Sequence, residues 1–265
     1  MTRCLIALAL LLGGLTVRAE DSLPKELPPD AEAAALGSAQ ATGLAIYRHD
    51  RAAAVATDAV LANGSFRQDA RVRGWVTQEQ QQGRILVTFI DRTPAALYRV
   101  VVPDDGPAGT PVALESPAPL TDYEAGAAAA RAAASAAGFA RCSDRYNSVV
   151  LPTAQPGANK WVVYLLPGTT KSDVVPIGGT FRMEVNGGDV VSQRGFTRSC
   201  IALQTAPNAV GLVISHLLGS VPTEAHVFWS LWARKPLYVT TAPYGSVWVV
   251  EGDKIRLVER KTAKS

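Results

Sequence analysis

Two histidines and a glutamate near the end of the chain have types and spacing that could support chemistry. Glu224 and His226 are two residues apart at the start of a run, 225–232, that we predict to be a strand, so their side chains would share a face. His216 precedes them across a turn. Together the three could bind a metal ion or form a general base with an orienting carboxylate. A half-exposed strand edge explains the same residues without chemistry and is the commoner situation.

Motifs of several enzyme classes are missing from the sequence. It contains no His-Glu-x-x-His, no histidines paired at helical spacing and no cysteine cluster that would support zinc. It also lacks a Gly-x-Ser-x-Gly elbow and a glycine-rich phosphate loop. His49 and Asp50 are adjacent in a predicted helix, where neighbouring side chains do not face each other. We therefore predict no cofactor and no metal. An enzyme is kept as the alternative to the leading hypothesis, a binding protein.

Two tryptophans are candidates for an interaction surface. Trp229 and Trp232 fall on opposite faces of the predicted strand 225–232, so at least one could be exposed. An exposed tryptophan on a sheet can mark a partner site. The more frequent arrangement is that both are covered, one by a helix and the other by the N-terminal unit.

Three arginines, Arg182, Arg194 and Arg198, cluster along a predicted hairpin and extend this candidate surface. They could form an anion site. Alternating charges on a solvated strand face account for them equally well and are the more common reason for such a pattern.

The stretch 120–200 supplies the elements that would position these side chains. Thr121 and Glu124 form a capping-box pattern, which begins a helix that the following alanines continue. Four strand-like runs follow, at 148–151, 161–166, 181–185 and 190–197. Because Gly187 and Gly188 can take positive φ, we predict that the last two runs form a hairpin.

The same stretch resembles a known family. Leu120-Thr121 with Glu124-Ala125, the run 161–166 and the hairpin residues 181–191 are similar to the exported PepSY module, and the resemblance covers residues 120–194. It implies a helix packed on a small antiparallel sheet, with a cystatin-like outline. Members of the family occur in peptidase propeptides and as free-standing envelope proteins. The resemblance implies no catalytic residues.

The first residues are typical of a secretory signal peptide. Arg3 precedes a short apolar run from Leu5 to Leu15, and the small residues before the predicted cleavage point favour cleavage after Ala19. A bilayer span needs about 20 apolar residues, so we predict no transmembrane segment after cleavage. Without Arg3 and Arg18 the chain has 24 basic and 23 acidic residues, which gives no electrostatic footprint for nucleic acid. These features predict a periplasmic or secreted protein with an envelope protein as candidate partner, and they leave the oligomeric state open.

Two cysteines, Cys142 and Cys200, remain after signal cleavage. In an oxidising compartment we expect them to form one disulfide, which would connect the end of the helix to the end of the hairpin. No Cys-x-x-Cys is present, so we do not predict a redox role.

The rest of the chain divides by composition into further segments. They are the signal peptide at 1–19, a flexible lead-in at 20–30, a helix plus three-stranded unit at 31–102, a proline-rich linker at 103–119, a helix plus antiparallel sheet unit at 120–260 and a frayed tail at 261–265. We expect Gly37 and Gly43 to divide the first helix into two pieces. After Cys200 we predict a short helix at 209–218, the strand at 225–232 and then a β-meander that extends the second sheet.

These patterns predict an α+β protein with two helix-on-antiparallel-sheet units, the second extended by a C-terminal β-meander. The leading functional hypothesis is an exported envelope binding or interaction module of inhibitor or accessory type. The alternative is a hydrolase or metal-dependent enzyme that uses His216, Glu224 and His226.

Overall fold

The computed structural model describes residues 23–62, 64–153, 159–206 and 208–263. The predicted signal peptide lies outside the described residues, as do the first residues of the lead-in. Within the described chain, no helix combines the length and the apolar character that crossing a membrane requires.

A long N-terminal helix, α1 (Pro29–Leu61), contacts elements from all parts of the protein. Its 33 residues span about 50 Å at the usual rise per residue. The predicted break at Gly37 and Gly43 is wrong, because the alanines on either side keep the helix continuous. Gly43 is required for packing instead: a Cβ there would overlap the side chain of Val227 and come within 2.7 Å of the Glu224 carbonyl oxygen.

The first sheet packs against the C-terminal half of α1, after a helical turn, α2 (Gly64–Arg67). It is antiparallel in the order β1 (Gly74–Glu79), β2 (Ile85–Ile90), β3 (Ala96–Val102) and β4 (Val112–Ala118). The three predicted strands are confirmed. Strand β4 corrects the prediction that 103–119 is only a linker, since a proline such as Pro117 is tolerated on an edge strand.

The second sheet confirms the predicted helix-and-hairpin unit. Helix α3 (Asp122–Ala136) begins at the predicted capping box of Thr121 and Glu124. The antiparallel sheet that it covers has the order β5 (Tyr146–Pro152), β6 (Lys160–Pro167), β8 (Phe181–Asn186) and β9 (Asp189–Gly195). Gly187 and Gly188 have φ values of 60° and 97° in the hairpin turn.

The predicted disulfide is present. Cys142 and Cys200 are bonded, with their Cα atoms 5.3 Å apart. Nearby, the short strands β7 (Val174–Val175) and β10 (Leu203–Gln204) pair with each other.

The C-terminal part corrects two predictions. The predicted helix at 209–218 contains strand β11 (Leu212–His216), and the predicted strand at 225–232 is helix α4 (Glu224–Ala233). A short apolar run does not distinguish a buried strand from a buried helix by its pattern. The topology explains the result, because β11 and β12 (Leu237–Thr241) are parallel and need a crossover element between them.

The predicted C-terminal meander is confirmed as β12, β13 (Ser246–Glu251) and β14 (Lys254–Glu259). With β11 it forms a separate four-stranded sheet rather than an extension of the second one. Helix α4 lies between this sheet and α1, and Val227, Phe228 and Trp229 are buried in the core there. The fold class is therefore α+β, as predicted.

Candidate functional site

One cleft, of about 530 Å³, is lined by four of the residues that the sequence singled out: Arg182, Arg194, His216 and Glu224. It lies where the N-terminal part of α1, the second sheet and the segment before α4 meet. We call it the arginine cleft and define it by five of its lining residues: Tyr164, Arg182, Arg194, His216 and Glu224. Their side chains come from β6, β8, β9, β11 and the first residue of α4, so the site exists only after the two sheets have packed together.

Glu224 is the central anion of the arginine cleft, although only 8% of it is exposed. Its Oε1 accepts a hydrogen bond of 2.7 Å from Arg194 Nη2 and one of 3.3 Å from the Tyr164 hydroxyl. Arg182 Nε lies 4.0 Å away. Burial chiefly, and then the charge of Glu224, raise the pKa of Tyr164, so the phenol remains a donor. The carboxylate is thus held by charge-assisted contacts.

His216 and His226 also come together, with ring centroids 4.8 Å apart. The backbone N–H of Thr223 donates to Nδ1 of His226 over 3.0 Å, which completes a capping box at the start of α4. Nδ1 is therefore an acceptor, and the neutral ring carries its proton on Nε2. Burial and the adjacent His216 hold the pKa of His226 well below its usual value. Burial, with a contribution from Arg194, lowers the pKa of His216 to about 4.

The three predicted catalytic residues are close in space but not arranged as predicted. Glu224 and His226 lie in the first turn of a helix, not on one face of a strand. Glu224 is bonded to Arg194 and Tyr164, and no hydrogen bond joins it to a histidine among the described residues. The described residues also contain no group of three His, Cys, Asp or Glu side chains placed to hold a metal ion.

The candidate arginines separate into two groups. Arg182 and Arg194 are opposite each other on β8 and β9 and both line the arginine cleft. Arg182 also pairs with Glu184 at 2.6 Å. Arg198 is exposed beyond the end of β9 and is not among the residues that line this cleft.

The two candidate tryptophans share one side of α4, because residues three apart on a helix are neighbours. Trp229 is buried and donates from Nε1 to Thr180 Oγ1 over 2.9 Å. Trp232 is 38% exposed and meets Trp229 edge to face, with ring centroids 5.4 Å apart. The expectation that both are covered is wrong for Trp232.

Trp232 lines a second cleft, of about 590 Å³, that sequence reasoning missed. We call it the tryptophan cleft and define it by Asp50, Arg145, Asn147, Lys171 and Trp232. Asp50 and Asn147 come from α1 and β5, 97 residues apart in sequence. The sequence feature that could have pointed to this cleft is a pair of polar residues, His49 and Asp50, in an alanine-rich helix. Of this pair, His49 faces the first sheet and bonds Thr77 through Nδ1.

Comparison with known proteins gives no further guide to either cleft. No family model matches the sequence, and no similar protein was found among the curated proteins or the solved structures. The chemistry of the two clefts therefore has to follow from their own residues and geometry.

Proposed function

We propose that this protein is an exported, non-enzymatic binding module of the cell envelope, and that its arginine cleft receives an anionic group of the ligand. Export is supported by the signal-like residues 1–19 and by the disulfide, which suits an oxidising compartment. The resemblance of residues 120–194 to PepSY modules supports a binding role of inhibitor or accessory type, with an envelope protein as the natural source of the ligand.

The observation that carries the proposal is the exposure of Arg194 and the contacts that hold its side chain. Its side chain is 50% exposed at the cleft, stacks over the ring of Phe196 and bonds Glu224 through Nη2. A guanidinium has five N–H donors in a planar fork that suits carboxylate and phosphate groups. Arg194 is therefore positioned by its neighbours while donors remain for an incoming anion.

The charge of the lining favours the same ligand class. Lys25, Arg182 and Arg194 contribute three cationic side chains, and Glu224 is the one acidic residue among the described lining residues. His216 is neutral at pH 7, since its pKa is about 4. An anion entering the cleft meets a net positive wall, and its affinity should fall as salt is added.

The alternative is a hydrolase or metal-dependent enzyme that uses His216, Glu224 and His226. One observation favours it, namely that His216 and Glu224 line the same cleft. Against it, the Glu224 carboxylate is already bonded to Arg194 and Tyr164, and His226 is fully buried with its Nδ1 occupied. A general base needs an open path to the proton that it removes, so the binding function has the stronger support.

A titration tests the proposal. The mature protein is titrated with inorganic phosphate and with succinate at low salt, by calorimetry, and the measurement is repeated with Arg194→Gln. The matched control is Arg256→Gln, an exposed strand arginine paired with Glu251. We expect Arg194→Gln to weaken binding about tenfold and the control to leave it unchanged. Equal affinities in the two variants, or no binding by the wild-type protein, would overturn the proposal.

A pull-down separates a small ligand from a protein ligand. Tagged wild-type protein and Arg194→Gln are incubated with the envelope fraction, lightly crosslinked and analysed by mass spectrometry. A protein partner that binds the arginine cleft should be recovered with the wild-type protein in a fixed stoichiometry. Its amount should be smaller with Arg194→Gln. Recovery that does not depend on Arg194 would assign the partner to another surface.

A further inference from the structure

The tryptophan cleft contains a buried carboxylate, Asp50, that no cation of the described residues balances. Asp50 is 8% exposed, and Asn147 Nδ2 donates to its Oδ1 over 3.0 Å. Among the described residues, no side chain donates to Oδ2 and no cation pairs with the group. Burial raises the pKa of Asp50, and the bond from Asn147 offsets this only in part. A charge buried in this way is costly unless a cation compensates it.

The aromatic wall of the same cleft suits a cation. Trp232 is 38% exposed, and its edge-to-face contact with buried Trp229 fixes the plane of its ring. The face of a tryptophan attracts a cation through the ring quadrupole, and more strongly where water is excluded. Asp50 and Trp232 both line this cleft and also a smaller one of about 390 Å³, so the two groups border the same space.

The remaining charges in the cleft have both signs. Arg145 and Lys171 are exposed on the loops before β5 and after β6, and Asp144 is beside them. Counting Asp50, the lining has two cations and two anions. A ligand that is only a cation would be repelled by Arg145 and Lys171. A ligand that carries one charge of each sign complements the cleft better.

We infer that the tryptophan cleft binds a zwitterion with a primary ammonium group, as found in a free amino acid or a short peptide. The ammonium group donates to Asp50 Oδ2 and lies against Trp232, and the carboxylate faces Arg145 and Lys171. The apolar part of the ligand contacts Phe228 and Leu166, which also line the cleft. This site is separate from the arginine cleft and does not depend on the proposed anion site.

Four related probes test which charge is recognised: L-leucine, L-leucine amide, N-acetyl-L-leucine and leucyl-glycine. The amide keeps the ammonium group alone, and the acetylated form keeps the carboxylate alone. We expect leucine to bind the mature protein more tightly than the amide, and the acetylated form not to bind, as measured by calorimetry. Tighter binding of leucyl-glycine than of leucine would identify a peptide as the source, and the reverse would identify a free amino acid.

Asp50→Asn is the decisive variant because it preserves shape and removes the charge. We expect the affinity for leucine to fall at least about tenfold, while Asp105→Asn, an exposed loop aspartate, stays within about twofold of wild type. Thermal unfolding without ligand distinguishes a binding role from a structural one. A binding carboxylate predicts that the melting temperature of Asp50→Asn is unchanged or higher, and a structural one predicts that it is lower.

Three results would overturn the inference. The first is binding of N-acetyl-leucine as tight as that of leucine. The second is unchanged leucine affinity in Asp50→Asn or in Trp232→Ala. The third is no binding of any of the four probes to the wild-type protein at millimolar concentration.

Discussion

Glu224 and Asp50 are two carboxylates with the same exposed fraction, 8%, and opposite surroundings. Glu224 accepts from a guanidinium and a phenol, so the protein itself balances the charge of this carboxylate. The cleft then presents Arg194 to a ligand. Among the described residues, Asp50 accepts only from the neutral amide of Asn147, so no cation of the protein pairs with it. Burial alone therefore does not reveal the role of an acidic residue. The partners decide whether the protein or a ligand has to balance the charge.

The disulfide should give the largest effect, and it bears mainly on the tryptophan cleft. Cys142 directly precedes Ser143, Asp144 and Arg145, which line that cleft. The bond closes a loop with a sequence separation of 58, so replacing both cysteines by serine should lower the free energy of unfolding by about 4 kcal/mol. Urea unfolding measures this change. Leucine binding should weaken more than phosphate binding. An equal loss of affinity at both clefts would show that the disulfide does not act mainly on the tryptophan cleft.

His216, in the arginine cleft, should make the stability of the protein depend on pH. Its native pKa is about 4, whereas an unfolded histidine titrates near 6.5, so the unfolded chain binds more protons between these values. Stability is then fully present above pH 6.5 and falls as the pH drops towards 4, by about 3 kcal/mol for this residue. His216→Gln should remove that part of the slope in urea unfolding at a series of pH values. An unchanged slope would mean that folding does not lower the pKa of His216.

His49 provides the matched control for that experiment. It is also buried, its pKa is also lowered to about 4, chiefly by burial, and it lines neither cleft. His49→Gln should remove a similar part of the slope and leave the binding of phosphate and leucine unchanged.

Glu224→Gln tests the balanced carboxylate. The glutamine oxygen can still accept from Arg194 and Tyr164, so only the charge of the pair is lost. Because Arg194 is half exposed, water screens the pair, and we expect a loss of about 1 kcal/mol in the free energy of unfolding. Phosphate binding should tighten, since the variant removes the acidic group from the lining. Weaker phosphate binding would show that Glu224 is needed to hold Arg194 in place.

Asp50→Asn should give the smallest change in stability and the opposite sign, a gain of up to about 1 kcal/mol. The native pKa of Asp50 is raised above that of the unfolded chain, so its charge costs stability at neutral pH. The gain should be complete above the native pKa and should disappear as the pH falls towards the ordinary value for aspartate. Asp105→Asn is the control. A loss of stability on Asp50→Asn would show that this carboxylate has a structural role.

Local signals in the sequence were sufficient for much of the fold. The capping box at Thr121, the glycine turn at 187–188 and the alternating strands of the first two sheets all depend on residues close together in the chain. The disulfide followed from the count of two mature cysteines and their expected compartment. The predictions failed at α4 and β11, where apolar runs are compatible with either structure and the parallel pairing of β11 with β12 decides.

The sequence by itself determined the α+β class, the helix-and-hairpin unit, the cysteine pair and the residue types available for binding. Only the tertiary structure decided which of these residues meet. Asp50 reaches Asn147 across 97 residues, and Glu224 reaches Arg194 across 30 and Tyr164 across 60. A sequence pattern gives information about residues that are neighbours along the chain. The free-energy cost of a buried charge depends instead on partners that only tertiary packing brings within hydrogen-bond distance.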